Sequence, residues 1–236
     1  MKKNQIKPWL KKQWCIPTVG AEFVWKMEDV LDLYAQPYDP LIPQVCFDER
    51  PCQLIREKRT PLASQPGQAE RVDYEYIREG TCNLFAWFQP LTAWRKIKVT
   101  SQRTAIDFAN CMKELVDEYF PNAIKVKVVL DNLNTHTPAS LYKAFSPEEA
   151  KRILDRLEFH YTPKHGSWLN MVEIEFSVLS RQCLNRRIPD IETMKQETRA
   201  WVQERNQQQA TVNWRFTSSD ARVKLRRLYP QLTCQN

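Results

Sequence analysis

The chain has 236 residues, of which 42% are hydrophobic and 27% are charged, proportions typical of a globular protein with a sizeable core. No stretch approaches the roughly 20 apolar residues of a membrane-spanning helix. Residues 1–12 are basic and lack the apolar segment of a signal peptide. Seven cysteines without a Cys-x-x-Cys pair argue against a disulfide framework and a structural zinc site, so we expect a cytoplasmic protein.

The net charge of +7 is unevenly distributed along the chain. Residues 1–20 carry +5 and residues 195–236 carry another +5, which leaves −3 for the middle. Basic ends around an acidic centre suit a protein that holds a polyanion at its edges and collects metal cations in its middle. From charge alone, a pair of solvated basic termini is an equally good interpretation.

The predicted elements alternate between strands and helices. Apolar and alternating runs predict strands at residues 44–56, 72–78, 81–88, 95–100, 124–130 and 157–161. Helical spacing and capping residues predict helices at residues 21–35, 104–120, 139–156, 167–184 and 191–208. The turn signal Glu79-Gly80 predicts a hairpin between the second and third strands, and Ser167 is the predicted cap of its helix. This order predicts an α/β, ribonuclease H-like fold, a mixed five-stranded sheet flanked by helices.

Three acids stand at informative places in this pattern. Asp48 lies within the first strand, Asp131 closes an apolar strand, and Glu173 lies one turn inside an apolar helix. A carboxylate at the mouth of a buried strand is costly unless something pairs with it. Ligands gather at the carboxyl ends of strands in such sheets. Hard oxygen ligands without a thiol or imidazole cluster favour magnesium or manganese, and two such ions can drive phosphoryl displacement.

The residues around these acids resemble the three catalytic blocks of DDE transposases. The blocks are Phe47-Asp48-Glu49, Leu130-Asp131-Asn-Leu-Asn-Thr-His136 and Tyr161-Thr-Pro-Lys-His-Gly-Ser-Trp-Leu-Asn-Met-Val-Glu173. The resemblance is closest to the bacterial insertion-sequence transposases grouped with the mariner elements. It implies that Asp48, Asp131 and Glu173 form the catalytic, metal-binding triad, with two Mg²⁺ ions that Mn²⁺ can replace.

The same resemblance implies the reaction and the partners. Such enzymes cut DNA at the ends of the element with water, then use the freed 3′-hydroxyl to attack target DNA. We therefore expect transposon ends and target DNA as partners, a homodimer on DNA, and a bacterial, nucleoid-associated protein. A nuclease that hydrolyses strands without joining them, and an inactive fragment that only binds DNA, are the alternatives.

The family's N-terminal helix-turn-helix region has no counterpart before Asp48. We therefore expect residues 1–43 to be an arm and a short helix that follow a missing DNA-binding region. Residues 44–210 are the predicted ribonuclease H-like catalytic domain, and residues 211–236 are a basic C-terminal tail.

Several assignments have alternatives. Asp48 could be a surface acid and Asp131 a turn cap, while Glu49 and Glu175 are the neighbouring acids that a shift of register would select. Candidate supporting residues are Asn132, His136, Trp168 and Asn170; Trp168 could stack on a base or pack under its helix, and Asn170 could cap or brace the loop. His160 is interpreted as structural.

Candidate DNA contacts are Lys11, Lys12, Arg56, Lys58, Arg59, Lys164, His165, Arg186, Arg187, Arg226 and Arg227.

Overall fold

The computed structural model describes residues 20–230, so the predicted basic arm, with Lys11 and Lys12, lies almost wholly outside the described residues. The strands are β1 (Gln44–Glu57), β2 (Tyr76–Gln89), β3 (Trp94–Thr100), β4 (Val126–Leu130) and β5 (Leu157–Tyr161). The α-helices are α1 (Ala21–Tyr34), α2 (Ala105–Glu114), α3 (Ala139–Ala144), α4 (Pro147–Asp155), α5 (Val172–Gln182), α6 (Ile191–Gln207) and α7 (Ser218–Lys224). Within residues 20–230, every helix is too short or too polar to cross a bilayer.

The five strands form one mixed sheet in the order β3-β2-β1-β4-β5. The pairs β3–β2 and β2–β1 are antiparallel, whereas β1–β4 and β4–β5 are parallel. Helices cover both faces of the sheet, as the sequence predicts. The parallel pair of β1 and β4 at the centre brings two of the three predicted acids to the same edge.

The predicted hairpin around Glu79-Gly80 is wrong. Residues on both sides of Gly80 belong to the single strand β2, which pairs along β1. Gly80 has φ +101°, and the register with β1 shifts between Gln53 and Ile55 at the same point. A bulge and a tight turn both favour a residue that tolerates positive φ, so the local sequence alone did not separate them.

The core has one layer on each face of the sheet, and β1 contributes to both because its side chains alternate. Val45 and Phe47 pack with α2, α4 and the other apolar residues of one layer. Cys46 belongs to the other layer, with α1, α5 and α6. Trp214, from the predicted tail, packs against this second layer. Both segments that flank residues 44–210 therefore contribute to the core, and the predicted division into domains stays a prediction.

Two predicted helices have different ends in the structure. The capping box of Thr104 and Asp107 begins α2, as the sequence indicates, but Leu115–Tyr119 continues it as a π-helical turn. The helix predicted from Ser167 is divided into a 3₁₀ turn, Ser167–Leu169, and α5. Ser167 makes no side-chain capping bond. Asn170 is extended between the two pieces because its side chain is bonded to β1.

Five cysteines lie within residues 20–230 and all are free thiols. Four of them are buried, namely Cys46, Cys82, Cys111 and Cys183, and Cys52 is half-buried. Burial raises the pKa of Cys46 and of Cys82 to about 11. These thiols are apolar packing groups of the sheet and helices.

Candidate active site

Asp48 lies in β1, and Asp131 directly follows β4, the parallel strand beside it. Cys46 pairs with Val129, and two further residues along each strand lead to the two aspartates. Asp48 is only 8% exposed. Burial, together with the charge of Asp131, raises the pKa of Asp48 to about 8, although the Glu49 backbone N–H donates to its Oδ1 at 2.8 Å. Among residues 20–230, no basic side chain lies within ion-pair distance of this buried carboxyl.

Asp131 has a different environment. Its Oδ1 accepts a hydrogen bond from the Leu133 backbone N–H at 3.0 Å and lies 2.6 Å from His136 Nδ1. Burial alone would raise the pKa of Asp131, but the hydrogen bonds from His136 and Leu133 outweigh burial and hold the pKa below its usual value. The two aspartates therefore differ in their preferred charge state.

His136 lies between two carboxylates and is 0% exposed. Its Nδ1 faces Asp131, and its Nε2 lies 2.7 Å from Glu49 Oε2, an ion-pair contact without the angle of a hydrogen bond. Burial lowers the pKa of His136, but the two carboxylates outweigh it and raise the pKa to about 9. Arg103 Nη1 lies 3.6 Å from Glu49 Oε1. Glu49 thus points away from Asp48, as successive strand residues do.

The two acids of α5 have opposite surroundings. Glu173 is exposed in the first turn of the helix, and its charge contributes to the raised pKa of Asp48. Glu175 is 4% exposed and is paired with Arg95 at 2.8 Å and Arg205 at 2.9 Å. Glu173 is therefore the acid of this helix that borders the aspartates, whereas Glu175 fastens the helix to β3 and α6.

Asn170 ties the start of α5 to β1. Its Nδ2 donates to the Phe47 carbonyl at 2.9 Å and lies 3.4 Å from Asp48 Oδ2. Its Oδ1 accepts from the Val172 backbone N–H at 3.3 Å. One side chain thus contacts both β1 and the first residue of α5.

The other candidate supporting residues lie further out. Asn132 accepts from Lys26 Nζ at 3.0 Å and donates to the Thr162 carbonyl. Trp168 is 45% exposed, with its ring 6.1 Å from that of Phe216. His160 contacts Asp29 at 2.8 Å and Glu158 at 3.0 Å on the outer strand, in keeping with the structural interpretation.

Of the nine basic candidates within residues 20–230, five are paired with acids of the chain itself. The pairs are Arg56–Glu79, Lys58–Glu75, Arg59–Asp73, Arg186–Glu197 and Arg187–Glu57. Lys164, His165, Arg226 and Arg227 are exposed. The sequence reasoning missed Arg50 and Arg181, which line a groove beside Glu173. Arg50 stands two residues beyond Asp48 on the same strand, a spacing that could have pointed to it.

The three acids fit a hard divalent cation by their chemistry. Within residues 20–230, no three acidic, histidine or cysteine side chains stand close enough together to enclose an ion as placed. Asp48 is nevertheless a buried carboxyl with no basic partner among residues 20–230, and Glu173 is exposed beside it. Carboxylate oxygens are the donors that Mg²⁺ and Mn²⁺ prefer. A cation here would offset the repulsion between the aspartates.

Solved structures with a similar fold come from a mariner transposase. The Mos1 mariner paired-end complex with Mn aligns with a TM-score of 0.55 and 15% identity, over 89% of this chain and 63% of that one. The Mos1 strand transfer complex gives 0.54 and 14%, over 88% and 64%. The catalytic domain of Mos1 mariner transposase gives 0.53 and 12%, over 85% and 90%. At these identities the likeness shows the fold alone, and it confirms the ribonuclease H-like prediction.

The chain spans less than two thirds of the Mos1 chain in the paired-end complex. No curated protein is detectably similar to it in sequence. A family model described as DDE superfamily endonuclease matches residues 43–195, which include the two aspartates, Glu173 and all five strands. Because this match covers well over half of the chain, the protein belongs to the DDE superfamily of endonucleases.

Proposed function

We propose that this chain is the catalytic domain of a transposase from the bacterial insertion-sequence branch of the mariner-like superfamily. It cleaves DNA at transposon ends and joins the freed 3′-hydroxyl to target DNA. The observation that carries the proposal is the placement of Asp48 in β1 beside Asp131 at the end of the parallel strand β4, with Glu173 on the helix that Asn170 ties to β1.

In this proposal Asp48, Asp131 and Glu173 hold the divalent ions. When bound, Mg²⁺ or Mn²⁺ supplies the activation of water or of a 3′-hydroxyl and the stabilisation of the leaving oxygen. The chain itself positions the ligands: Asp131 is oriented by two donors, and Asp48 is fixed by the Glu49 backbone N–H and the Asn170 amide. The Mos1 paired-end complex was solved with Mn, which supports the choice of metal.

The groove beside Glu173 supports DNA as the substrate. It has a volume of about 550 Å³ and runs between β1 and α5. Arg50 and Arg181 line it, together with the hydroxyl groups of Ser177 and Ser180. Guanidinium and hydroxyl groups are the usual partners of phosphate oxygens, so a strand lying in this groove would bring a phosphate to the acids.

The proposal also covers the oligomeric state of the protein and its location in the cell. Cutting and joining two transposon ends requires two active sites, so we propose a homodimer on DNA. The Mos1 transposase, a protein of the same fold, has been solved as a paired-end complex, which supports this arrangement. The site of action is then the bacterial nucleoid.

The test is cleavage of a labelled transposon-end duplex in Mg²⁺ by the wild type and by Asp48→Asn, Asp131→Asn and Glu173→Gln. Each substitution keeps the shape of the side chain and removes one ligand charge, so each should abolish cleavage while the circular dichroism spectrum is unchanged. Asp155→Asn, at an exposed acid of α4 paired with Lys151, is the matched control and should cleave normally. Wild-type cleavage by any of the three site variants would refute the assignment.

A second assay separates transposition from simple hydrolysis. A precut end with a free 3′-hydroxyl is incubated with supercoiled target DNA and Mg²⁺. The proposal predicts a joined product, and this product should disappear in the same three variants. Cleavage without any joined product would identify a nuclease, and binding without cleavage would identify an inactive fragment.

A further inference from the structure

His136 is a buried polar side chain to which the proposed reaction assigns no role. Its ring nitrogens are 2.6 Å from Asp131 Oδ1 and 2.7 Å from Glu49 Oε2. The first is a hydrogen bond and the second is a close contact of ion-pair type, so both edges of the ring face a carboxylate. His136 therefore connects the end of β4 to the far face of β1 through two carboxylates.

The ring has little freedom to leave this position. It packs against Phe47 at 5.6 Å and Phe108 at 4.9 Å between ring centroids. The His136 backbone N–H donates to the Leu133 carbonyl at 2.8 Å, and its carbonyl accepts from Tyr161 Oη at 2.9 Å. Side chain and backbone are thus both fixed, which is what a group needs if it is to orient a neighbour.

Glu49 is the other end of the connection. Its side chain is only 3% exposed and faces the His136 ring on one oxygen and Arg103 on the other. Phe47 and Glu49 project to the same face of β1, opposite Asp48, because strand side chains alternate. The Glu49 carboxylate contacts the His136 ring at Nε2, on the side away from Asp131.

We propose that Glu49 and His136 are positioning residues that fix the orientation of Asp131 for metal binding. This inference rests on the proposed function. Both donors to Asp131 converge on Oδ1, and within residues 20–230 no hydrogen bond reaches Oδ2. One oxygen is therefore used to hold the carboxylate, and the other is left for an ion. Groups that orient a ligand in this way commonly change metal affinity when they are replaced.

A merely structural role is the competing interpretation, in which His136 only compensates the buried charge of Glu49. The two interpretations differ in what a conservative replacement rescues. Asparagine can place its amide donor where Nδ1 lies, which restores the bond to Asp131 but not the contact with Glu49. Glutamine reaches further and places its donor near Nε2, which restores the contact with Glu49 but not the bond to Asp131.

The experiment measures Mn²⁺ affinity of the full chain without DNA, by electron paramagnetic resonance of free Mn²⁺, for His136→Asn and His136→Gln. We expect His136→Gln to bind Mn²⁺ about 10–100-fold more weakly than the wild type, and His136→Asn to keep most of the affinity. Thermal midpoints without metal should fall similarly in both variants. Equal Mn²⁺ affinity of folded His136→Gln and wild type would overturn the proposal.

His160 provides the matched control, since Asp29 and Glu158 flank its ring in the same manner but outside the site. His160→Asn and His160→Gln should leave Mn²⁺ affinity unchanged. If His136→Gln does not fold, Glu49→Gln tests the connection from its other end: weaker Mn²⁺ binding supports the proposal and unchanged binding overturns it.

The same titration separates this inference from the proposed function. If the wild type does not bind Mn²⁺, or if Asp131→Asn binds it equally well, the proposed metal site itself fails. If Asp131→Asn loses Mn²⁺ while His136→Gln keeps wild-type affinity, only the positioning role fails.

Discussion

At the scale of single residues, the helix α5 carries two glutamates, of which one is buried in ion pairs and the other is exposed. Glu175 compensates the buried guanidinium of Arg95 and also pairs with Arg205, whereas Glu173 is exposed at the edge of the groove. Removing one member of a buried ion pair leaves an uncompensated charge, which is far more costly than the loss of an exposed charge. Replacing each glutamate in turn therefore separates an effect on the stability of the fold from an effect on DNA cleavage.

We predict that Glu175→Gln lowers the free energy of unfolding by about 3–5 kcal/mol, because Arg95 stays buried without its countercharge. Glu173→Gln should change it by less than about 0.5 kcal/mol, as exposed substitutions do. Urea unfolding followed by tryptophan fluorescence measures both. DNA cleavage should show the reverse order, lost in Glu173→Gln and retained by Glu175→Gln where that variant is folded. A destabilised Glu173→Gln beside an unaffected Glu175→Gln would mean that the register of α5 on the sheet is wrong.

At the scale of elements, the π-helical turn Leu115–Tyr119 is joined to α4 by charged side chains. Arg152 donates to both oxygens of Asp117, at 2.8 and 2.9 Å, and to Glu149 at 2.7 Å. Lys113 also contacts both acids. The hydrogen bond from Arg152 is the main cause that lowers the pKa of Asp117 below its usual value.

A lowered pKa in the folded state means that this contact stabilises the fold above the usual pKa of an aspartate and is lost on acidification. We predict that Arg152→Met lowers the urea midpoint slightly at pH 7, since exposed ion pairs contribute little. The difference from the wild type should shrink as the pH falls below about 4, the usual pKa of an aspartate, because Asp117 and then Glu149 become protonated and lose their attraction to Arg152. Lys151→Met, at an exposed pair on the same helix that does not reach the π-helical turn, is the control. A difference that grows on acidification would contradict this linkage.

The elements also show what the sequence could and could not predict. Asp48 and Asp131 were found because each interrupts or ends an apolar run, which is a local signal. Neither strand by itself indicates that β1 and β4 are neighbours. That expectation came from the order of all the elements, which is the order of a ribonuclease H-like fold. The contact of His136 with Glu49 joins two distant segments, and neither residue has a local signal that predicts the other.

The errors have the same origin. Glu79-Gly80 has the composition of a turn, and only the pairing of β2 along β1 shows that Gly80 lies in a bulge. Ser167 has the composition of a helix cap, but Asn170 is bonded to Phe47 of β1, and this tertiary bond delays the start of α5. In both cases the local sequence indicated a conformation that the residue favours, but it could not indicate the distant segment with which the residue interacts.

At the scale of the whole molecule, the net charge of +7 and the arginine-lined groove predict salt-dependent DNA binding. Arg181 is exposed in the groove and has no ion pair within residues 20–230, so a phosphate would be its first strong partner. Arg181→Ala should weaken binding to any sequence and reduce the slope of log K against log salt by about 1. Fluorescence anisotropy with a labelled duplex measures this slope.

Arg56→Ala is the matched control for that measurement. Arg56 is also an exposed arginine, but Glu79 accepts its hydrogen bond at 2.7 Å. Its replacement should leave the slope close to that of the wild type. An unchanged slope in Arg181→Ala, or an equal loss in both variants, would exclude the groove as the path of the DNA backbone.

The buried cysteines also allow local opening of the folded structure to be measured by chemical labelling. Alkylating reagents attack the thiolate, so Cys46, with its pKa raised to about 11 and its sulfur buried between the sheet and the helices that cover it, is protected twice over at neutral pH. Alkylation of Cys46 requires the helices packed on this face of the sheet, among them α1 and α5, to move away, which also separates Glu173 of α5 from Asp48. The rate of labelling at this cysteine, read by mass spectrometry, therefore counts how often the candidate site comes apart, without any introduced probe.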